Sequence, residues 1–230
     1  MNLAETQDNT YSVANCLAKR WQAEIDSGVN LPDLYIIHIS IGSQGFFGMW
    51  SPHRENRTII PGVLGVCNIS MYPLAQHVIT LTNKYFAENG LSPDYVGIHW
   101  RGGEQETRVP KKRLENELYD DYVTLFEGLR TAVGFDAPIV IHTFPFESSM
   151  KKNDPTGAFL EKMNFINSVF VTLSKRLPAV TLFDSRNYPE YEKDAENYNM
   201  LRGDIIHYLG RTNDWVASEI LAKYKKENNA

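Results

Sequence analysis

KKRLENELYDDYVTLFEGLRTAVGFDAPIVIHTF, residues 111–144, contains the alternation that decides the fold. Leu114, Leu118, Tyr122, Leu125, Leu129 and Val133 recur at intervals of three and four residues, which puts them on one face of a helix. Residues 138–144 (PIVIHTF) follow as a short strand rich in β-branched and aromatic side chains. Working toward the N-terminus, residues 95–100 form another strand, closed by the turn Arg101-Gly102-Gly103-Glu104. Before it Leu74, Val78, Leu81 and Tyr85 mark a helix stopped by Asn89-Gly90. Residues 33–41 (DLYIIHISI), bounded by Pro32 and Gly42, read as a buried strand. Val13, Leu17, Trp21 and Ile25 give a first helix ending near Gly28. Toward the C-terminus, Phe159, Met163, Ile166, Phe170 and Leu173 define a helix, and residues 180–184 a strand. After a polar stretch, a last helix covers roughly residues 213–225.

Such alternation predicts an α/β fold, a three-layer α/β/α sandwich with a mostly parallel sheet of about four to five strands. No repeat, low-complexity tract or linker interrupts it, so residues 1–230 are expected to form one domain, with 1–10 as a flexible N-terminus. In sheets of this kind, function gathers beyond the carboxyl ends of the strands.

Composition narrows the classes. A net charge of -5 argues against a nucleic-acid partner, which needs a concentrated basic face. The one dense basic cluster, Lys111-Lys112-Arg113, opens a helix and reads as solvated surface. Cys16 and Cys67 have no metal-ligand spacing and read as small buried hydrophobes. No apolar run is long enough to span a bilayer, and residues 1–10 are polar and acidic. The expected setting is therefore cytoplasmic, with no membrane partner.

Three stretches carry candidate chemistry. Asp204 and His207 are spaced so that one turn presents both, which suits a carboxylate holding an imidazole toward a nucleophile, or a plain surface turn. In Trp100-Arg101-Gly102-Gly103-Glu104-Gln105-Glu106, paired glycines at a strand's end let backbone N–H groups approach a ligand, as an oxyanion site requires. A tight strand-to-helix turn is the plainer reading of the same residues. Ile41-Gly42-Ser43-Gln44-Gly45-Phe46-Phe47-Gly48-Met49-Trp50 suits a cleft floor with an aromatic wall for a sugar, or a structural loop. His38, His99 and His142 each lie within an expected strand, where neighbouring strands could gather them around zinc. They have no acidic residue at matching spacing, and no metal is expected.

Together these segments resemble the SGNH hydrolases, in particular sialate O-acetylesterase-like and acetylxylan-esterase-like carbohydrate esterases. Ile39-Ser40-Ile41-Gly42-Ser43 with Trp50-Ser51-Pro52 looks like the family's glycine block. Pro61-Gly62-Val63-Leu64 followed by Asn68, Met71, Pro73 and Leu74 is similar to its Pro-x-x-Leu-x-Asn-x-Met-x-x-Pro-Leu stretch. Trp100 to Glu106 is similar to its Trp-x-Gln-Gly-Glu-Ser-Asp block, and Asp204-x-x-His207 to the pair that closes its triad. The order agrees over about residues 11–226. The resemblance implies an SGNH/flavodoxin-like sheet and hydrolysis of an O-acetylated sugar or small acyl ester without a cofactor. His207 would act as base and Asp204 as its orienting partner. Gly42, Gly102, Gly103, Glu104 and Trp50 would form the oxyanion and substrate surface.

The chain also departs from the pattern. The family's opening Gly-x-Ser strand has no counterpart in residues 1–10, its third-block Gln is Gly102, and its second glycine is Ser43. Three readings stand. The serine strand lies upstream or on another chain; the protein is a non-catalytic relative acting as a glycan-binding or structural module; or Ser43 is the nucleophile.

Overall fold

The computed structural model describes residues 12–40, 45–53, 70–93, 97–144, 156–189, 208 and 210–228. It forms two compact units, Gly42–Arg186 and the paired chain ends Met1–Ile41 with Asn187–Ala230.

The central unit holds α2 (Met71–Glu88), β1 (Ile98–Trp100), a 3-10 helix (Glu104–Arg108), α3 (Lys111–Val133), β2 (Ile139–His142), α4 (Ala158–Arg176) and β3 (Val180–Phe183). The strands form a parallel sheet in the order β1-β2-β3, with Ile98 opposite Ile139 and Ile139 opposite Val180. Every residue of β2 is buried, as its unbroken Ile-Val-Ile run requires of a central strand. This is the expected α/β arrangement with a parallel sheet, and three strands are present among the described residues.

The face of α3 follows its sequence pattern. Leu114, Leu118, Tyr122, Leu125 and Leu129 are buried, and Phe126 joins them. Tyr122 and Phe126 meet Trp100 of β1 at 5.9 and 6.1 Å between ring centroids. α4 packs beside β3 and α3. Near its C-terminus, α3 sends the buried Arg130 to the Ala137 and Pro178 carbonyls (3.0 and 2.7 Å), which precede β2 and β3. One guanidinium thus sets the starts of two neighbouring strands. Arg130→Ala would leave both carbonyls without that donor, and urea unfolding is expected to show a loss of about 2 kcal/mol.

Two expectations are corrected. Residues 33–40 form no strand, and Tyr35, Ile36 and Ile37 are exposed. Their composition suits a ladder, but a strand exists only where a neighbour supplies hydrogen bonds, and among the described residues they pair with no strand. The second concerns the face of α2. Leu74, Leu81 and Tyr85, which mark the helix in the sequence, are exposed. The buried side carries Met71 and Ala75 instead, and polar bonds run beside it: Gln76 donates to the Gly128 carbonyl (3.1 Å), and Asn83 to those of Ala132 and Val133 (3.0 and 3.1 Å).

The paired chain ends are simpler. Ser12 caps α1 (Val13–Asp26), its Oγ accepting from the Asn15 N–H at 3.3 Å. α1 packs on α5 (Gly210–Asn228), which is longer than the expected 213–225. Trp21 lies 4.8 Å from the Tyr224 ring, and Arg20 grips Asp214 through two bonds of 2.7 and 2.6 Å. Cys16 is buried in α1, as its apolar neighbours suggest. Cys67 lies outside the described residues. Among the described residues, no helix is long and apolar enough to cross a membrane.

Candidate functional site

Beyond the carboxyl end of β1 the chain turns through Arg101, Gly102 and Gly103 into the 3-10 helix. Gly103 has φ of 125°, and a Cβ there would lie 3.2 Å from both Phe144 Cζ and the Tyr122 hydroxyl. Backbone angle and crowding therefore both call for glycine. The short helix aims Glu106 inward while Glu104 pairs with Arg101 at 3.7 Å.

Glu106 receives the second stretch. Its Oε1 accepts the Phe47 N–H at 3.2 Å, which seats the turn of residues 45–50 against the 3-10 helix. Gly45 makes this approach possible. A Cβ at that position would overlap Glu106 Oε1 and stand 2.9 Å from the Gln105 Cβ. Phe46 then stacks on Tyr122 (4.3 Å), and half-buried Trp50 meets Trp100 edge-on at 5.0 Å. At the far end of the turn, Met49 accepts the Met71 N–H (2.8 Å), and His53 lies 3.3 Å from Asp121. Two segments separated by about fifty residues of sequence are thus held together at the rim of β1.

The electrostatics here are unusual for a carboxylate. Glu106 is 1% exposed, and burial pushes its carboxyl up to about 7, partly offset by the N–H groups of Phe47 and Phe46 and reinforced by the charge of Glu104. Its Oε2 has no hydrogen-bond partner among the described residues. Burial, and then Glu106, also push the Tyr122 hydroxyl well above its ordinary range. The Trp100 indole N–H approaches that hydroxyl and acts the other way, short of a full hydrogen bond.

The opposite face of the sheet brings together two of the three histidines expected in strands, while His38 lies in no strand. His99 Nδ1 and His142 Nε2 are 3.5 Å apart, and His142 stacks on Phe183 at 4.7 Å. Burial first, then His99 and Arg101, hold His142 well below the ordinary imidazole range, so it is neutral at pH 7. Among the described residues, no three His, Cys, Asp or Glu side chains are grouped to hold a metal ion.

A cavity of about 220 Å³ lies beside α4, lined by Thr143, Phe144, Met163, Asn164, Asn167 and Asp184 among others. Asn167 shapes one wall by bonding both the N–H and the carbonyl of Phe144 (3.0 and 3.2 Å). Arg186 binds Asp184 and holds its carboxyl below the usual range.

Of the residues read from the sequence, Trp50, Gly102, Gly103 and Glu104 lie together at this rim. Gly42, Ser43, Asp204 and His207 lie outside the described residues. Sequence reasoning quoted Glu106 but gave it no role. Its signal was the crowding of small and aromatic residues at 45–47, which implies a close approach without naming what approaches. Asn167 carried no signal, since a lone amide in a helix reads as surface. No protein-family model matches this chain, no curated protein matches it, and no solved structure matches it.

Proposed function

We propose that this chain is a carbohydrate-esterase-like hydrolase of the SGNH type that removes O-acetyl groups from a sugar. One observation carries the reading: the Gly45–Trp50 turn and the Trp100–Glu106 turn converge at the carboxyl end of a parallel strand. These are two of the four stretches that the resemblance places around one pocket.

In this reading Ser43 is the nucleophile. Its Oγ attacks the acetyl carbonyl while His207 takes the serine proton, and Asp204 orients and steadies the imidazolium. Backbone N–H groups near Gly42 and Gly103 bind the oxyanion. The sugar leaves as an alcohol with the proton from His207, and water then releases acetate from the serine by the same steps. Trp50 offers its indole face to the sugar, and Gly102 and Glu104 shape the adjoining wall.

The test is release of p-nitrophenol from its acetate ester. Wild type is expected to exceed His207→Ala by at least about a hundredfold, the scale of general-base catalysis. Equal rates sink the proposal.

A second reading, a glycan-binding module without turnover, is favoured by the cavity beside α4. Asn164, Ser168 and Thr143 offer neutral polar groups to sugar hydroxyls, and Met163, Leu182 and Val171 offer an apolar floor. Binding of an acetylated sugar with no acetate release would select it.

A further inference from the structure

We propose that Glu106 is the positioning residue of the candidate site: uncharged, it seats the Gly45–Trp50 turn, and its ionisation loosens that turn. Only the assignment of the turn to a hydrolytic site rests on the function proposed above. The latch itself stands on geometry.

Glu106 is enclosed, its Oε1 is occupied by the Phe47 N–H, and its Oε2 meets no partner among the described residues. A carboxylate in such a place needs a cation, yet the nearby cations are engaged elsewhere. Arg101 pairs with Glu104. Arg113 lies over the Phe47 ring (4.3 Å) and bonds Glu117 (2.9 Å). Lys162 donates to the carbonyls of Thr107 and Val109 (2.8 and 2.9 Å). Of the remaining titratable neighbours, Glu104 discourages a negative charge, and Tyr122, pushed up by burial and by Glu106, supplies no compensating positive one. A proton on Glu106 removes the difficulty and keeps the carbonyl oxygen for Phe47. Ionisation leaves an unneutralised charge in a closed site, and the nearest relief is to lift the turn and admit water.

The direction with pH follows. A carboxyl held near 7 in the closed state, against 4.5 in water, favours closure most at low pH. That preference is lost as pH rises toward and through 7. Between about pH 6 and pH 8, opening should become about tenfold more populated.

Amide hydrogen exchange of the peptide covering residues 45–53, corrected for intrinsic rates, reads this directly. Wild type is expected to lose about tenfold in protection across that interval, while a peptide from α4 changes little. Glu106→Gln keeps an acceptor for Phe47 and cannot ionise, so its protection should be the same at both pH values. His53→Asn removes the imidazole beside Asp121 and should leave the wild-type profile intact. Constant protection in wild type, or a full tenfold loss in Glu106→Gln, overturns the proposal. Because exchange needs no substrate, an inactive wild type would defeat the esterase reading without touching this result.

Discussion

Tyr122→Ala is expected to be the most damaging single substitution in the central unit, lowering unfolding free energy by about 4 kcal/mol. The ring is fully buried at the junction of three elements. It stacks on Phe46 of the turn (4.3 Å) and on Phe126 of its own helix (5.7 Å), and meets Trp100 of β1 and Phe170 of α4 edge-on at 5.9 and 5.4 Å. Truncation removes the apolar transfer energy of the ring and leaves a cavity that aromatic walls from separate elements cannot readily close. Tyr122→Phe isolates the other half of the problem. Its hydroxyl is buried without a hydrogen-bond partner among the described residues, so the native state already bears that desolvation cost. Phenylalanine should be neutral or stabilising. Urea titrations of the two variants check both statements, and a phenylalanine variant as damaged as the alanine one would show that the hydroxyl, not the ring, holds the junction.

Gly45→Ala should cost about 3 kcal/mol, the upper end of overpacking. The added methyl would overlap Glu106 Oε1 and crowd the Gln105 Cβ at 2.9 Å, and its obstacles are a buried carboxyl group and the stem of a neighbouring residue. Neither can swing into solvent. The turn must lift, and with it Phe46 leaves Tyr122 and Trp50 leaves Trp100. The expected signature is a red shift and easier quenching of tryptophan emission, with less change in far-UV circular dichroism, since each helix keeps its own ladder and the turn meets α2 at the Met71 N–H of its first residue. If Gly45→Ala unfolds with wild-type midpoint and emission, the close approach at Glu106 has been misread. Glu106→Ala combined with Gly45→Ala makes room for the methyl and should recover part of the packing loss. That non-additivity marks a direct contact.

Both substitutions act where the fold was hardest to read. The face of α3 was legible because Leu114 through Leu129 repeat at the helical period, and burial of that stripe requires only something apolar opposite. The strands at 139–142 and 180–183 were legible for a similar reason. Each is a short apolar run that alternates with helices, and a parallel arrangement follows from that connectivity. The same reasoning failed at residues 33–40. DLYIIHIS has the composition of a strand, but composition does not provide the ladder. It failed again at α2, where Met71 and Ala75, beside amide bonds from Gln76 and Asn83 to α3 carbonyls, turned inward in place of the stripe of leucines and tyrosine.

At the candidate site, the glycines were legible as places of close approach, and Trp50 as part of an aromatic wall. That Gly45 makes room for Glu106 was not, because the two residues are far apart in sequence and no local period links them.

By itself, then, the sequence determined the α/β class, the apolar faces of α3 and α4, the parallel sense of the sheet and the burial of Cys16. All of these depend on how residues recur within one segment. Tertiary structure alone decided which segment found a ladder, which side of α2 turned inward, and that a glutamate would lie buried beneath a glycine turn. Those outcomes depend on partners brought from elsewhere in the chain, since a hydrogen bond or a desolvated charge has no defined energy until its neighbour is in place.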